Sequence, residues 1–445
     1  MKFIVFSQFG ELLDLADYLA NVEKHKLIMF IDDKNYKRIG DNIVEKTNEW
    51  WRYLGQGYIW IIDSCAFGDF QDWLREIGEN VFGGSKIGDE LENNRQLNQE
   101  WFRDCGFYQP ESNNFTDIDE AISFIEDNKD KKWILKQNGD APKALNHLGK
   151  FDDNEDMLFH LKELKKGWNE QEFGKFDCDL MEVVEGLEVA ASAFFNGKGY
   201  MKNSQGKIVG FLNYEEKKES DGGLGVTTGE MGTTFEGVDE DNDLFRKILL
   251  RPKIVKKLKE LGFRGVFDIN CIVSEKGITA LEPTMRFGIP ATSYEFIEGM
   301  ESNTGKMIYD VAKGLFRDIE IKKGFGMVMC VVSKPFPIEA ELEDSETSLG
   351  EKLWILNNKN PVKDFIEEQK KHIHLYNFEK CIDKETDEMC YKVITKSGYL
   401  LTVTGIGYNI KDTRDKLIEY IKNNIYISGM KYRQDIGKRI EQHYA

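Results

Sequence analysis

The chain has 445 residues, with 78 acidic and 60 basic side chains, a formal net charge of −18 and an isoelectric point near 5.0. This charge argues against non-specific binding to a nucleic acid backbone, which requires a basic surface. The hydrophobic fraction of 41% excludes a disordered chain, the length predicts roughly two to four domains, and no apolar run approaches the ~18 residues of a membrane span.

The cysteines and the amino terminus indicate a cytoplasmic protein. The seven cysteines are widely spread and form no CxxC pair, so we expect reduced, mostly structural thiols. The opening run MKFIVF is short and does not resemble a signal peptide. The six histidines show no metal-ligand spacing.

The first part of the chain alternates hydrophobic strands with helices. The predicted strands are Lys2–Ser7, Lys26–Ile31, Tyr58–Ile62 and Asn80–Phe82, and the predicted helices are Glu11–Ala20 and Asp72–Ile77. This alternation predicts a parallel α/β layer, in which ligands bind beyond the carboxyl ends of the strands. Those ends carry Ser7–Gly10 and Asp63–Ser64. The first turn lacks GxGxxG, so we do not expect a dinucleotide.

The middle of the chain places one lysine on a strand. After helical patterns at Ser85–Cys105 and Ile118–Asn128, the run Lys131–Gln137 reads as a strand with Lys136 near its end. A lysine on the apolar face of a strand is unusual, so a phosphate partner is one interpretation. The other interpretation is a lysine whose ammonium group extends into water.

A glycine-rich segment follows further strands at Cys178–Val184, Val189–Phe195 and Ile208–Asn213. This segment, Glu215–Thr234, reads EEKKESDGGLGVTTGEMGTT. Its backbone N–H groups, aided by Lys217 and Lys218, are suited to an anion. An ordinary surface loop explains the same composition.

Asp243–Leu261 reads as a long helix that leads into a predicted hairpin. The strands Gly265–Val273 and Ile278–Leu281 flank a turn, and Asp268 and Glu282 lie where cross-strand neighbours come close. Together with Arg286, these carboxylates suit a divalent cation that carries a phosphate. A surface hairpin with a salt bridge is the alternative.

Five blocks, in order, give the chain a resemblance to a known family. They are VFGGSKIGDELENNRQLNQEWFRDCGF at 81–107, GGLGVTTGEMG at 222–232, ALEPTMRFGIP at 280–290, GMVMCVVSKPFP at 326–337 and SGYLLTVTGIGYNIKDTRDKLIEYIKNNIYISGMKYRQDIGKR at 397–439. The second resembles the motif TGPNTGGMG and the third resembles EFNCRFGDP. The chain therefore resembles a divergent phosphoribosylamine–glycine ligase (glycinamide ribonucleotide synthetase) of the ATP-grasp superfamily.

The resemblance implies an α/β fold of ATP-grasp type with three domains. They are a parallel α/β domain at residues 1–108, an ATP-grasp domain at 109–322 with a mobile subdomain at about 119–184, and a C-terminal α/β domain at 323–445. It also implies ATP and Mg²⁺ (or Mn²⁺) as cofactors. The implied chemistry is phosphorylation of a carboxylate by ATP, followed by attack of an amine on the acyl phosphate.

The resemblance also implies roles for single residues. ATP contacts are expected at Arg95, Lys136, Lys143, Glu182 and Glu188. Metal ligands are expected at Glu282 and Thr284, with Asp268 similar to the first metal acid of other ATP-grasp ligases. The expected catalytic residues are Arg286, Lys217 and Lys218. The expected substrate-binding residues are Gly10, Asp221, Thr227, Thr228, Gly229 and Arg286.

Three departures from the family motifs bear on the substrate. The GGREH loop is here Phe9–Leu13, FGELL, in which Glu11 would repel a phosphate. The loop GLAAGKGV is Gly139–Leu145, GDAPKAL, which keeps Lys143. The metal-ligating asparagine is Thr284, for which we expect Asp268 to compensate. We assign no chemical role to the extra residues at about 341–370.

Three functional readings remain open. The first is an ATP-dependent ligase that joins a glycine-like amino acid, or another small carboxylate, to an amine that is not necessarily phosphoribosylamine, because the GGREH loop has changed. The second is a genuine phosphoribosylamine–glycine ligase of purine biosynthesis. The third is a non-catalytic homologue that binds nucleotide or a protein. We expect small-molecule substrates, no membrane association, and a monomer or dimer.

Overall fold

The computed structural model describes residues 1–137, 145–337, 342–384 and 386–441. By their mutual contacts these residues form two units. The first comprises Met1–Asn98, Glu188–Cys271 and Glu282–Ala445, and the second comprises Gln99–Leu187 and Ile272–Leu281. The three predicted domains were defined by the family resemblance and not by contacts, so their boundaries stay a prediction.

The amino-terminal part of the first unit is a parallel sheet, as predicted. Its strands are β1 (Lys2–Ser7), β2 (Lys26–Ile31), β3 (Ile59–Ile62) and β4 (Asn80–Phe82), in the order β2-β1-β3-β4. The helices are α1 (Leu13–Asp17), α2 (Gly68–Glu76) and α3 (Lys86–Asn93). All three strand pairs are parallel, and β1 and β3 are almost fully buried, as expected for a sheet covered on both faces.

The second unit holds a four-stranded sheet with helices. Its elements are α4 (Arg95–Asp104, which begins in the first unit), β5 (Ser112–Phe115), α5 (Ile118–Asp127), β6 (Trp133–Gln137), β7 (His147–Leu148), α6 (Glu155–Gly167), α7 (Glu170–Phe173) and β8 (Cys178–Glu182). The strand order is β5-β8-β6-β7, and the described pairs are antiparallel. Trp133, Leu135, Leu161 and Leu180 lie in its buried core.

The remaining strands belong to three further sheets. In chain order the elements are β9 (Leu187–Asn196), β10 (Val209–Glu215), β11 (Lys218–Ser220), β12 (Leu224–Thr227), β13 (Gly232–Asp239), α8 (Asp243–Leu249), α9 (Pro252–Glu260), β14 (Arg264–Ser274), β15 (Gly277–Thr284), α10 (Thr304–Ala312), β16 (Phe325–Val332), β17 (Lys352–Asn357), β18 (Asn360–Val362), α11 (Gln369–His372), β19 (Ile373–Leu375), β20 (Phe378–Ile382), β21 (Met389–Val393), β22 (Tyr399–Gly407), α12 (Ile410–Asn424), β23 (Ile425–Tyr426) and α13 (Lys438–Glu441).

The largest sheet carries most of the predicted site residues. Its strand order is β15-β14-β9-β10-β13-β16-β22-β19. A wide helical turn at Ser293–Glu298 packs over one face of this sheet. Within this packing, the ring of Tyr294 stacks on Phe235 with centroids 4.8 Å apart, and the ring of Phe296 lies 5.3 Å from Phe194. This turn therefore roofs part of the sheet face described below.

The predicted hairpin is confirmed as β14 and β15, whereas two other predicted elements differ. The helix predicted over Asp243–Leu261 is two helices, because Pro252 opens α9 at a position where its missing N–H is tolerated. Part of the predicted glycine-rich loop forms a small hairpin, β11–β12. A further sheet, in the order β18-β17-β21-β20 with β23 beside β17, contains much of the insertion at 341–370.

Two broader expectations bear on the chain as a whole. All seven cysteines lie in the described part of the chain and are free thiols, as expected. Over the described residues, no helix combines the length and the apolar character needed to cross a lipid bilayer.

Candidate active site

Polar side chains line one face of the largest sheet at β9, β10 and β14. Side chains two residues apart share a face of a strand, and directly paired residues share it across strands. Asn213 pairs with Ala190, and Phe211 pairs with Ser192, so Ser192, Asn213 and Glu215 lie on one face. On the same side, the amide of Asn270 donates to a Glu188 oxygen at 3.3 Å.

Lys217 joins two carboxylates at the mouth of this face. Its ammonium nitrogen lies 3.0 Å from Glu188 and 3.0 Å from Glu215. Burial acts to lower the pKa of Lys217, but the charges and hydrogen bonds of Glu215 and Glu188 outweigh burial and raise it. Lys217 therefore stays a cation and holds Glu188, the predicted ribose-binding residue, in a fixed position.

Near Lys217, several carboxyl groups act on one another's pKa values. Glu230 and Glu295 are almost fully buried, and Asp268 is partly buried. Burial raises the pKa of Glu295 to about 8, and burial together with Glu215 raises the pKa of Glu230 well above its usual value. Burial, Glu295 and Glu215 likewise raise the pKa of Asp268. We call Glu215, Glu230, Asp268 and Glu295 the acid cluster.

The residues predicted to bind metal have the right donor chemistry. Asp268 lies on β14, exposed Glu282 lies on β15, and the Glu282 charge contributes to the raised pKa of Asp268. Among the described residues, no three His, Cys, Asp or Glu side chains are grouped so as to hold a metal ion. Mg²⁺ commonly takes only one or two carboxylates and completes its shell with phosphates and water. Asp268 and Glu282, with the Thr284 hydroxyl, fit that use.

Arg286 already has acidic neighbours. Its Nη2 lies 2.6 Å from Glu92 Oε1, its Nε lies 3.0 Å from the same oxygen, and its Nη1 donates to the Phe287 carbonyl at 2.8 Å. Burial raises the pKa of Glu11, and the charge of Arg286 partly offsets this effect. Arg286 therefore faces two carboxylates, of which the sequence analysis identified only Glu11.

The carboxyl ends of β1 and β3 form a polar loop cluster, where ligand binding was predicted. The Ser7 hydroxyl donates to the buried Asp63 carboxylate and accepts from the Gly10 N–H at 2.8 Å. Burial raises the pKa of Asp63 to about 7. Gly10 has φ +84°, and an added Cβ would lie 2.9 Å from Ile39, so only glycine fits this turn.

The glycine-rich segment separates its two lysines. Lys217 faces the carboxylates described above, whereas the ammonium group of Lys218 lies 3.4 Å from the Gly225 carbonyl on the β11–β12 hairpin. The Thr228 hydroxyl donates to the Lys217 carbonyl at 2.8 Å, and Asp221 accepts from the Gln434 N–H at 2.8 Å. The first bond closes the base of the hairpin, and the second ties the hairpin to the carboxyl-terminal segment.

Exposed Thr227 ends β12, and Gly229 follows Thr228 in the same loop. The substrate roles predicted for Asp221, Thr227, Thr228 and Gly229 remain predictions, as does the catalytic role of Lys218.

Two of the predicted ATP contacts lie in the second unit. Lys136 is on β6, paired in register with Asp179 on β8. Glu182 ends β8, and its carboxylate lies 2.7 Å from the Lys276 ammonium nitrogen. Arg95 is the first residue of α4 and belongs to the first unit. Lys143 lies outside the described residues.

Comparison with known proteins supports the family resemblance. Residues 93–292 match the model of the phosphoribosylglycinamide synthetase ATP-grasp (A) domain. The phosphoribosylamine–glycine ligase of Helicobacter pylori is 24% identical over 382 residues, which cover 83% of this chain and 79% of that protein. The chain is therefore similar to phosphoribosylamine–glycine ligases over most of its length. The Clostridium acetobutylicum ligase is 23% identical over 82% of this chain and 80% of its own.

Two solved structures share the fold of this chain. The phosphoribosylamine–glycine ligase of Thermotoga maritima superposes with a TM-score of 0.68 at 17% identity, covering 98% of this chain and all of that one. The biotin carboxylase subunit of pyruvate carboxylase gives a TM-score of 0.58 at 10% identity, covering 100% of this chain and 99% of its own. The predicted ATP-grasp fold and the family resemblance are thus confirmed.

Four acidic residues with a place in the site were missed by the sequence analysis. Glu92 pairs with Arg286, and Glu215 raises the pKa of both Glu230 and Glu295 although the three lie apart in the chain. One signal was available for Glu230, which stands where the motif TGPNTGGMG has a glycine. A buried acid in place of glycine marks a change in the site.

Proposed function

We propose that the protein is an ATP-dependent carbon–nitrogen ligase that joins glycine to phosphoribosylamine. Similarity over about four fifths of the chain to proteins named phosphoribosylamine–glycine ligase carries this proposal. This similarity favours the second functional reading, a phosphoribosylamine–glycine ligase, over a ligase for a different amine. The contacts of Lys217 with Glu188 and Glu215, beside Asp268, support an active enzyme and not a non-catalytic homologue.

The proposed reaction has two balanced steps. An oxygen of the glycine carboxylate attacks the γ-phosphorus of ATP, the bond to the β–γ bridging oxygen breaks, and ADP leaves. The amine nitrogen then attacks the carbonyl carbon of the acyl phosphate. The carbon–oxygen bond to the phosphate breaks, and an amide, inorganic phosphate and a proton are released. Such chemistry depends mainly on positioning and charge stabilisation.

The residues of this chain divide that work. Glu188, held by Lys217, binds the ribose hydroxyls of ATP, and Arg95, Lys136, Lys143 and Glu182 are further predicted contacts. Asp268, Glu282 and Thr284 would hold Mg²⁺, which when bound neutralises phosphate charge. Lys217 stabilises the negative charge on the transferring phosphoryl group. Arg286 binds the phosphate of phosphoribosylamine through its planar guanidinium.

A second candidate keeps the ligase chemistry but changes the amine. It is favoured by one observation, the presence of Glu92 and Glu11 beside Arg286. Both carboxylates oppose a phosphate there, so an amine without a phosphate would bind more easily. The third reading, a non-catalytic homologue, has no observation of its own in its favour.

A coupled ADP-release assay tests the proposal. The full chain is incubated with Mg²⁺ and ATP over a matrix of amino acids and amines that includes glycine and phosphoribosylamine. The proposal expects turnover that requires both of these. Turnover with an unphosphorylated amine and not with phosphoribosylamine would support the second candidate. Absence of ATP binding by calorimetry, with and without Mg²⁺, would exclude both ligases.

A further inference from the structure

Lys217 lies in a two-residue connection between strands. β10 ends at Glu215 and β11 begins at Lys218, so Glu216 and Lys217 lie outside both strands. Main-chain carbonyl groups in folded proteins are paired, so the donors to residues 215–218 show what holds this connection in place. The position of the Lys217 ammonium group depends on those donors.

The segment after β12 holds the two inner carbonyl groups. The Met231 N–H donates to the Glu216 carbonyl at 2.9 Å, and the Thr228 N–H donates to the Lys217 carbonyl at 2.7 Å. The Glu216 N–H in turn donates to the Gly232 carbonyl at 2.8 Å. One edge of the connection is therefore bonded to the chain that enters β13.

Two arginines of the carboxyl-terminal segment hold the two outer carbonyl groups. Arg439 Nη2 donates to the Glu215 carbonyl at 3.1 Å, and Arg433 Nη1 donates to the Lys218 carbonyl at 3.0 Å. The Glu216 carboxylate lies between them, 3.4 Å from Arg433 and 3.5 Å from Arg439. A planar guanidinium that makes several such contacts fixes the direction of each one. The two arginines therefore hold both ends of the connection.

Arg433 is itself fixed in place. Its side chain is 3% exposed, and its Nε donates to Asp435 Oδ1 at 2.8 Å. The other oxygen of Asp435 accepts from the Gly222 N–H at 2.7 Å. Two residues before Arg433, Lys431 exchanges main-chain hydrogen bonds of 2.8 and 2.9 Å with Val332 at the end of β16. The guanidinium is thus supported by an interior strand of the largest sheet.

The hold on the two outer carbonyl groups does not depend on the charge of Glu216. Burial raises the pKa of Glu216, whereas the charges of Arg439 and Arg433 act to lower it. Arginine is not deprotonated in proteins, and a carbonyl oxygen accepts its N–H groups at any pH at which the chain is folded. The two arginines therefore act on the connection through its main chain as well as through Glu216.

We propose that Arg433 is a positioning residue of the ligase reaction, which holds Lys217 where its ammonium group meets the transferring phosphoryl group. Arg433 acts through the Lys218 carbonyl and the Glu216 carboxylate, and Arg439 supports the other end. This proposal rests on the proposed ligase function. It adds a part of the carboxyl-terminal segment to the active site, in a role that touches neither ATP nor substrate.

A double-mutant cycle tests whether Arg433 acts through Lys217. We expect Arg433→Met to lower kcat about tenfold or more and to change the glycine KM less than about threefold, because a small displacement of a catalytic cation costs turnover. In a Lys217→Met background the same substitution should lower kcat less than about twofold, since the lysine that it positions is gone. Equal losses in both backgrounds would overturn the proposal, as would a loss that appears only in KM.

Arg414→Met is the matched control for the loss of a buried arginine. Arg414 is 7% exposed, and its guanidinium contacts Glu441 and the Ile436 carbonyl. We expect this variant to lower the thermal midpoint and to change kcat less than about twofold. A loss of kcat as large as in Arg433→Met would assign the effect to general destabilisation and overturn the positioning role.

A second variant keeps the test decisive if Arg433→Met does not fold. Arg439 is 42% exposed, so Arg439→Met removes less buried contact. It should lower kcat about threefold or more in the wild-type background and leave kcat unchanged in the Lys217→Met background. Equal effects in the two backgrounds would contradict the proposal.

Hydrogen–deuterium exchange separates this proposal from the ligase function. Main-chain amides of residues 215–219 should exchange at least about threefold faster in Arg433→Met than in the wild type, with no change in residues 325–329 of β16. Faster exchange without ADP release by the wild type in any amine mixture would retain the hold of Arg433 on Lys217 and reject the ligase. ADP release and exchange that are both unchanged in Arg433→Met would retain the ligase and reject the positioning role.

Discussion

Two nitrogens of the Arg286 guanidinium contact one oxygen of Glu92, Nη2 at 2.6 Å and Nε at 3.0 Å. The arginine predicted to bind the substrate phosphate is therefore already paired within the first unit. A phosphate must either displace Glu92 or share the guanidinium with it. Either event weakens phosphate binding, because the contact between the partly buried Arg286 guanidinium and the Glu92 carboxylate is lost or shared.

Replacement of Glu92 tests this competition. We expect Glu92→Gln to bind ribose 5-phosphate several-fold more tightly than the wild type, because the neutral amide competes less well for Arg286. Calorimetry on the full chain measures the change, and Glu90→Gln on the exposed side of α3 is the control. Weaker binding in Glu92→Gln would mean that Glu92 orients Arg286 for the phosphate instead.

The two adjacent lysines should differ in their effect on turnover. We expect Lys217→Met to lower kcat about 100-fold or more, since it removes a cation positioned in the site and leaves Glu188 and Glu215 unpaired. Lys218→Met should change kcat less than about twofold, because Lys218 lies on the small hairpin and contacts Gly225. Steady-state ADP release gives both values. Equal losses in the two variants would contradict the assignment of the catalytic role to Lys217.

Asp268 should be needed for activity and not for folding. We expect Asp268→Asn to abolish turnover and to leave the thermal midpoint unchanged or raised, because it removes one of several mutually repelling carboxyl groups. Differential scanning fluorimetry and the ADP-release assay provide the two measurements. Asp241→Asn, an exposed substitution beyond the end of β13, serves as the control. Wild-type rates in Asp268→Asn would contradict a role for Asp268 in the active site.

Stability should depend on pH through the pair of Glu298 and His372. The His372 Nδ1 lies 2.7 Å from a Glu298 oxygen. Burial acts to lower the pKa of His372, but Glu298 and Glu368 raise it overall. Burial acts to raise the pKa of Glu298, but His372, Lys322 and Thr404 lower it overall.

The signs of these shifts define a pH window. A histidine with a raised pKa contributes stability below its unfolded value of about 6.5, and this is lost as the pH rises through the folded pKa. A carboxyl group with a lowered pKa contributes above its unfolded value of about 4.3, and this is lost as the pH falls through the folded pKa. His372→Gln should therefore lower the thermal midpoint more at about pH 5.5 than at about pH 8.5.

The measurement compares His372→Gln with the wild type at each pH. Burial, together with the charge of His372, lowers the pKa of His374 to about 3, so His374 destabilises the wild type below about pH 6.5. In the variant the contribution of the His372 charge is absent, so this destabilisation is smaller there and acts against the expected difference. His160→Gln, in the second unit, is the matched control. A difference in midpoint that is the same at both pH values would show that the ionic form of the pair contributes nothing.

The sequence by itself determined the family resemblance, the parallel amino-terminal sheet and the hairpin that carries Asp268 and Glu282. These depend on local signals: hydrophobic strands alternate with helices, and glycine turns fix where each strand ends. The order of five motifs added the ATP-grasp fold. Gly10 and Asp63 fall at strand ends, where the parallel topology brings them to one edge of the sheet.

Only the tertiary structure decided which acids come together. Glu295 lies 80 positions after Glu215 in the chain, and its place over the sheet depends on the packing of Tyr294 and Phe296. Glu92 reaches Arg286 across 194 positions. Pairings of this kind depend on strand register and on the packing of distant elements, which local periodicity does not encode. The sequence thus predicted the phosphate and metal end of the site, whereas the fold revealed the acid cluster.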